Sequence, residues 1–399
     1  MASPDTVRGV TASIVAVCHQ GHPPERLKAE VLTRLRRVLP VDALWWATSD
    51  PATLLFTQAF REGIPDRMIP YFVENEFLGH DVNQWTDLAQ DPAGIRTLTS
   101  ATGGDLETSA RFRDLFQPLG LGDELRVVLR TGNACWGLMC LHRETGRIFS
   151  NDDLQLVRRL APHLAEGLRA GLLMPSAATS SVADAPGLVV LDQSGEMVTA
   201  TAAAHAWFAE LGQDAQDGSP APAEVSTAAA QLRRASAADP MAPKLTVPRL
   251  RVRTRAGRWV VLHASWLHLA QGEPARIAVI IEAAAPAEVA AVIMQAYGLT
   301  ERERAVTGLV CQGRSTAQIA AELWISANTV QDHLKSVFDK TGVRSRREVM
   351  AVILRDHYLP GLKQSRPVGP AGFFIPGTAP SGARGSSLPH GAEPPDRSR

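Results

Sequence analysis

The chain has 399 residues, more than one ordinary domain holds, and its 45% hydrophobic content is that of globular protein. Lys plus Arg equals Asp plus Glu at 41 each, which excludes a whole-molecule attraction to polyanions, so any basic surface is local. No apolar run has the length of a membrane span, since IAVII at 277–281 is broken by Glu282 and Pro286, and the scattered cysteines Cys18, Cys135, Cys140 and Cys311 form no CxxC pair; the expectation is a cytoplasmic protein with reduced thiols, no membrane contact and no metal site.

From the N-terminus, Val10–Cys18 reads as a helix, because no small-residue cleavage motif follows it. Glu25–Leu39 is amphipathic, with Leu27, Val31, Leu35 and Val38 on one face. ALWWATS and TLLFTQAF read as strands, and Leu106–Phe116 as a helix. DELRVVLR and ACWGLMCLHR form a hairpin about Thr131-Gly132-Asn133; five-residue spacing sets Cys135 and Cys140 on opposite faces. Ser150 caps a long helix with Leu154, Val157, Leu160, Leu164, Leu168 and Leu172 on one stripe, kinked at Pro162.

This order of elements over residues 1–174 resembles a GAF-type sensor domain. The resemblance implies a small molecule held between the sheet and its covering helices. Trp45, Trp46, Tyr71, Phe72, Trp85 and Trp136 are the candidate pocket lining, against the plainer reading that they are core aromatics. YFVENEFLGHDV also resembles acyl-homoserine-lactone binding domains, with Val82 standing where that pattern has Pro; a quorum-signal regulator is therefore an alternative.

Residues 175–185, within MPSAATSSVADAP, have linker chemistry. Residues 186–285 begin GLVVLDQSGEMVTATAAAHAWFAEL, a strand, a turn at Asp192–Gly195, a strand and a helix. They end on a hairpin about Ala256-Gly257 and the strand IAVIIE, with an Ala- and Pro-rich stretch between. The pattern resembles a PAS-type domain. Arg249, Arg251, Arg253 and Arg255 alternate and share a face, which reads as a solvated outer surface or, alternatively, as a contact to DNA or an acidic ligand.

Residues 286–297 form a short apolar linker helix, Val289–Tyr297, leading into 298–358. There Thr300 and Glu303 make a capping box, Gly313 stops the first helix, Ser315 caps a second, and Trp324-Ile325 makes a tight apolar turn. Ser326 caps a third helix, Gly342 ends it, and Ser345 caps a fourth. Two such short helices joined by so short a turn are suited to presenting the second to a DNA groove. On that helix Val330, Leu334, Val337 and Phe338 face the core, opposite Asn328, Asp332, Lys335, Ser336 and Asp339, with Gln331 on the flank. These polar groups suit base edges, whereas Ser326, Thr329, Arg344, Arg346 and Arg347 suit phosphates.

LTERER, IAAEL and NTVQDHLKSVFDKTGVRSRR resemble the DNA-binding domain of LuxR-type transcriptional regulators. The resemblance implies a four-helix domain that binds DNA as a dimer, its fourth helix contributing to dimerisation, with Gln331, Asp332 and Lys335 at bases and Thr329 and His333 beside the backbone. Gln331 stands where many members have Lys or Arg. The 286–297 helix and the long helix at 150–173 are the other expected dimer contacts. After residue 358 the Pro-, Gly- and Ser-rich 359–399 reads as a disordered tail.

The expected fold class is thus multidomain α+β, two α/β sensor domains ahead of an all-α helix-turn-helix unit. No GxxxxGK[ST], GxSxG, HExxH or zinc spacing occurs, and His142, His163, His263 and His268 stand isolated, so no catalytic residue and no cofactor is expected. The expected partners are double-stranded DNA, a second copy of the chain, a small-molecule effector and RNA polymerase. An enzyme or ligand-binding domain with an appended DNA-binding module is the alternative.

Overall fold

The computed structural model describes residues 3–51, 53–174, 185–212, 220–238, 248–255, 257–267 and 275–355. The expected tail 359–399 and nearly all of the expected linker 175–185 lie outside them.

Two helices, α1 (Pro4–Cys18) and α2 (Pro24–Leu35), open the chain, and Pro40 follows the shortened end of α2. Strands β1 (Ala43–Ser49) and β2 (Phe56–Glu62) precede α3 (Ile69–Phe77) and α4 (Trp85–Gln90). Then come β3 (Ile95–Thr97), α5 (Leu98–Ala101), β4 (Leu121–Thr131), β5 (Ala134–Glu144) and α6 (Asn151–Leu173). The helix expected over Leu106–Phe116 is instead two short turns, Leu106–Thr108 and Phe112–Phe116, separated by extended Ser109.

The strands form an antiparallel sheet of order β2-β1-β5-β4-β3. Both faces are covered, which is why β4 and β5 are buried along nearly their whole length. On one face α1, α2 and α6 bury Leu27, Val31, Trp46, Trp136, Leu164 and Leu168. On the other, α3, α4 and the 112–116 turn bury Trp45, Phe56, Phe72, Trp85 and Phe116. Gly137 lets α6 approach: a Cβ there would lie 2.5 Å from Leu168 Cδ1.

A bulge corrects one expectation. Leu129 pairs with Gly137 but Arg130 pairs with Cys135, so Trp136 is an extra residue on β5. The alternation slips by one, and Cys135 and Cys140 point to the same face rather than to opposite ones.

The second half repeats this strand order. Strands β6 (Gly187–Leu191) and β7 (Met197–Ala200), helices α7 (Ala202–Leu211) and α8 (Ala223–Ala238), then β8 (Arg249–Arg253), β9 (Trp259–Leu267) and β10 (Arg276–Ala283) give a sheet β7-β6-β10-β9-β8. One face is closed by α7 and α8 over Val189, Trp207, Val225, Leu262 and Val279; Leu188, Val198 and Ile280 are exposed.

The arginine stripe on β8 is not a solvated face. Arg251 donates to both carboxylate oxygens of Asp50 at 2.8 and 3.0 Å, and Arg253 donates to the carbonyls of Gly171, Leu172 and Met174. The alternating residues fasten the second sheet to β1 and the end of α6, while Arg249 remains exposed. Arg233 of α8 adds an ion pair to Glu74 of α3 at 2.8 Å.

Helix α9 (Pro286–Ala296) lies against α6, with Val289, Val292 and Ile293 buried and the Arg169 side chain donating to the Ala296 carbonyl. The C-terminal unit follows as α10 (Glu301–Cys311), α11 (Thr316–Leu323), α12 (Ala327–Thr341) and α13 (Arg346–Met350), continued by a wider turn over Ala351–Arg355. Its core is Val306, Leu309, Ile319, Val330 and Leu334, and Val337, Val349 and Ile353 join it to Leu299 beside α9.

The apolar stripe of α6 packs inside the chain. Val157, Leu160, Leu164, Leu168 and Leu172 are all buried within the chain, and at about 1.5–3 kcal/mol each their exposure to reach a partner would cost on the order of 10 kcal/mol. None of the described helices is long and apolar enough to cross a membrane.

Candidate functional site

The C-terminal unit is built by its caps. Thr300 Oγ1 accepts from the Glu303 backbone N–H while Glu303 Oε2 accepts from that of Thr300; Ser315 and Gln318 repeat the arrangement on α11. Ser326 Oγ accepts from the Thr329 N–H at 3.0 Å and starts α12; left-handed Gly342 ends it. Between α11 and α12 the chain turns at Trp324, left-handed at φ +56° and 93% exposed, so the expected apolar turn leaves its largest side chain in solvent.

Helix α12 buries Val330, Leu334 and Val337 and leaves Asn328, Gln331, Asp332 and Lys335 exposed, with Thr329 and His333 half-buried. Ser326, Arg344 and Arg347 are exposed. Some of the expected contact residues also bond inside the unit, Gln331 donating to Thr316 Oγ1 at 3.4 Å. Ser336 donates its hydroxyl to Glu303 Oε1 at 2.6 Å, and Arg346 donates to Thr316 Oγ1 at 2.7 Å and to the Arg314 carbonyl at 3.4 Å. Ser336, half-buried, also fastens α12 to α10. Lys340 completes this knot at 2.6 Å from Glu303 Oε2. Burial pushes the Glu303 carboxyl up, but the bonds from Lys340, Ser336 and Thr300 outweigh it and hold it at about 2.

The six aromatic residues expected around one pocket are divided by the sheet. Trp46 and Trp136 face α6, Trp45, Phe72 and Trp85 face α3 and α4, and Tyr71 is at the surface donating to Asp114 at 2.6 Å. Adjacent strand residues point to opposite faces, so Trp45 and Trp46 cannot line one cavity. Trp45 packs edge-on against Phe56 and tilted against Phe72, with ring centres 4.5 and 5.0 Å apart.

Beside them lies a buried ionic network that patterning did not signal. Arg126 Nη1 donates to Glu76 at 2.7 Å and its Nε to Glu124 at 2.9 Å; Arg111 donates to Glu124 Oε2 at 2.9 Å and lies 3.6 Å from Asp81. The Arg126 guanidinium sits 4.6 Å over the Trp85 ring. Burial pushes Glu124 up, yet the two arginines pull it down to about 2; burial, the largest cause, holds His142 down at about 4, with Glu124 opposing it and both arginines adding to it. Charged residues within otherwise apolar strands, DELRVVLR above all, were the available signal.

A cavity of about 260 Å³ lies at the junction of the two sheets, lined by Gln58, Asp50, Leu172, Arg251, Arg253 and Val292. The same junction buries Lys28, which burial lowers to about 8, and Glu224, which burial raises to about 7.

Residues 298–353 match the model for bacterial regulatory proteins of the luxR family, and residues 24–168 match that of the GAF domain. Spore germination protein GerE of Bacillus subtilis (strain 168) is 42% identical over 57 residues, 14% of this chain and 77% of GerE. The HTH-type transcriptional regulator MalT of Serratia proteamaculans (strain 568) is 42% identical over 52 residues, 13% of this chain and only 6% of MalT. Among solved structures, the Vibrio cholera VqmA–ligand–DNA complex shares 17% identity, with 43% of this chain and 83% of that chain covered and a TM-score of 0.24. From the match to GerE, and with a GAF domain ahead of its helix-turn-helix, this DNA-binding transcriptional regulator belongs to the luxR family of bacterial regulatory proteins.

Proposed function

We propose that the chain is a cytoplasmic, non-enzymatic regulator that reads double-stranded DNA with α12 as a homodimer, under the control of a small molecule taken up by its two sheet domains. The observation that carries the reading is the outward row Asn328, Gln331, Asp332 and Lys335 on a helix whose opposite face buries Val330, Leu334 and Val337. Gln331 and Asn328 suit adenine, Lys335 guanine and Asp332 a cytosine amino group, while Ser326, Thr329, His333, Arg344 and Arg347 suit the backbone.

The domains run 1–174, 186–285 and 298–358, joined by 175–185 and the helix at 286–297. The second is PAS-like, a reading supported by its strand order and by the two helices inserted between β7 and β8. Four described cysteines without disulfides support a reducing compartment. The dimer contact lies off the buried stripe of α6, and RNA polymerase is the expected further partner. Because α9 packs on α6 and also carries the DNA-binding unit, an effector that moves the sensor core shifts the population of dimers at half-site spacing.

Selection of a preferred duplex from random sequence, followed by anisotropy titration of Lys335→Ala, tests the reading. The variant loses about 1–3 kcal/mol on the selected site and little on random DNA. Undiminished discrimination would overturn the assigned orientation of α12.

A further inference from the structure

Strand pairing brings a second set of groups together beside the ionic network. Glu124 of β4 lies directly across from His142 of β5, and Arg126 across from Cys140. Cys140 and His142 are two residues apart, so thiol and imidazole project from one face of the strand. One donor atom from each of Glu124, Cys140 and His142 lies within 4.8 Å of the others, and all three residues are fully buried.

The imidazole is the unexplained member. Neither Nδ1 nor Nε2 of His142 has a hydrogen-bond partner, and its near neighbour is the Phe116 ring, centred 4.5 Å away. Leaving a buried polar group unmatched costs stability, and an imidazole has two such nitrogens. A metal ion satisfies one of them outright.

Charge gives an independent argument. Among the described residues the ion pairs of Glu76, Asp81 and Glu124 are with Arg111 and Arg126, three carboxylates to two guanidinium groups, which leaves one negative charge in excess. A divalent cation bound here enters that negative surplus. The three carboxylates also offset the repulsion between that cation and the guanidinium groups.

We propose that Glu124, Cys140 and His142 form an internal binding site for a divalent transition-metal ion. A donor set of sulfur, imidazole nitrogen and carboxylate oxygen suits Zn²⁺, Fe²⁺ or Co²⁺, and thiolate disfavours Mg²⁺ and Ca²⁺. On binding, the ion takes the place of the Cys140 proton, which is released to solvent, and no electron is transferred. The site sits on the two central strands that carry α6, so its occupancy bears on the stability of the sensor core. This assignment does not depend on how α12 reads DNA.

Full-length protein is purified from cultures supplemented with CoCl₂, since complete burial prevents loading of the folded chain. The expected result is stoichiometric cobalt with a thiolate-to-cobalt charge-transfer band in the near ultraviolet. Cys140→Ser is expected to lose that band, and His142→Gln to lose bound cobalt. Trace cobalt in the wild-type protein overturns the proposal, as does a thiolate band that persists in folded Cys140→Ser, which would place the ion on another cysteine. Should both variants fail to fold, Cys18→Ser, Cys135→Ser and Cys311→Ser are each expected to keep the band, and its loss in any of them overturns the assignment.

Discussion

Glu303 in the DNA-binding unit and Glu124 in the first sheet are both buried carboxylates held by cations, and they differ in how completely their neighbours are satisfied. Around Glu303 every bond closes: Ser336 donates to one oxygen, Lys340 and the Thr300 N–H to the other. Around Glu124 the two arginines leave Arg126 Nη2 and both His142 nitrogens without partners. A closed network fixes one geometry and is sufficient as structure. An incomplete one costs stability, and such a cost points to a site that something else completes.

Three substitutions sharpen the comparison. The largest effect is expected for Arg126→Ala, which leaves Glu76 and Glu124 with a lost partner in a dehydrated core; about 3–5 kcal/mol should disappear from the urea unfolding free energy. A loss near zero would mean that water reaches the network and that the contrast with Glu303 is void.

Glu303→Gln comes next, at about 1–3 kcal/mol, because it weakens charge-assisted bonds without emptying the site. Its pH dependence has a definite sign. The folded carboxyl sits near 2, below its ordinary 4.5, so its contribution is complete above 4.5 and is lost as pH falls toward 2. Thermal melts of the wild type should fall over that window, and those of the Gln variant should fall less. Parallel profiles would show that Glu303 is not the titrating group.

The smallest effect has the opposite sign. Trp324→Gly relieves a left-handed, nearly fully exposed residue and should stabilise the chain by up to about 1 kcal/mol, read as a higher urea midpoint at unchanged slope. A drop in midpoint would show that the indole makes a stabilising contact of its own.

Local chemistry made the C-terminal unit readable from sequence. Thr300, Ser315, Ser326 and Ser345 each cap the helix they precede, and Val330, Leu334 and Val337 turn inward, because caps and helical periodicity act within a few residues. The β4–β5 hairpin was legible for the same reason, with Gly132 supplying its turn. What failed was what depends on distant partners. The bulge at Trp136 reversed the expected relation of Cys135 to Cys140, and that hid the pairing of Cys140 with His142 on one face beside Glu124.

The sequence by itself determined the helix-turn-helix, its inward and outward faces, and the separation of the chain into sheet-bearing and helical parts. Only the tertiary structure decided that the β8 arginines clamp Asp50 and the end of α6, that Ser336 belongs to Glu303, and that the α6 stripe is spent inside the chain. An arginine on an alternating strand has the same local preference in water or against a neighbouring carboxylate. Its role is set by what the rest of the chain places opposite it, and no short window of sequence contains that residue.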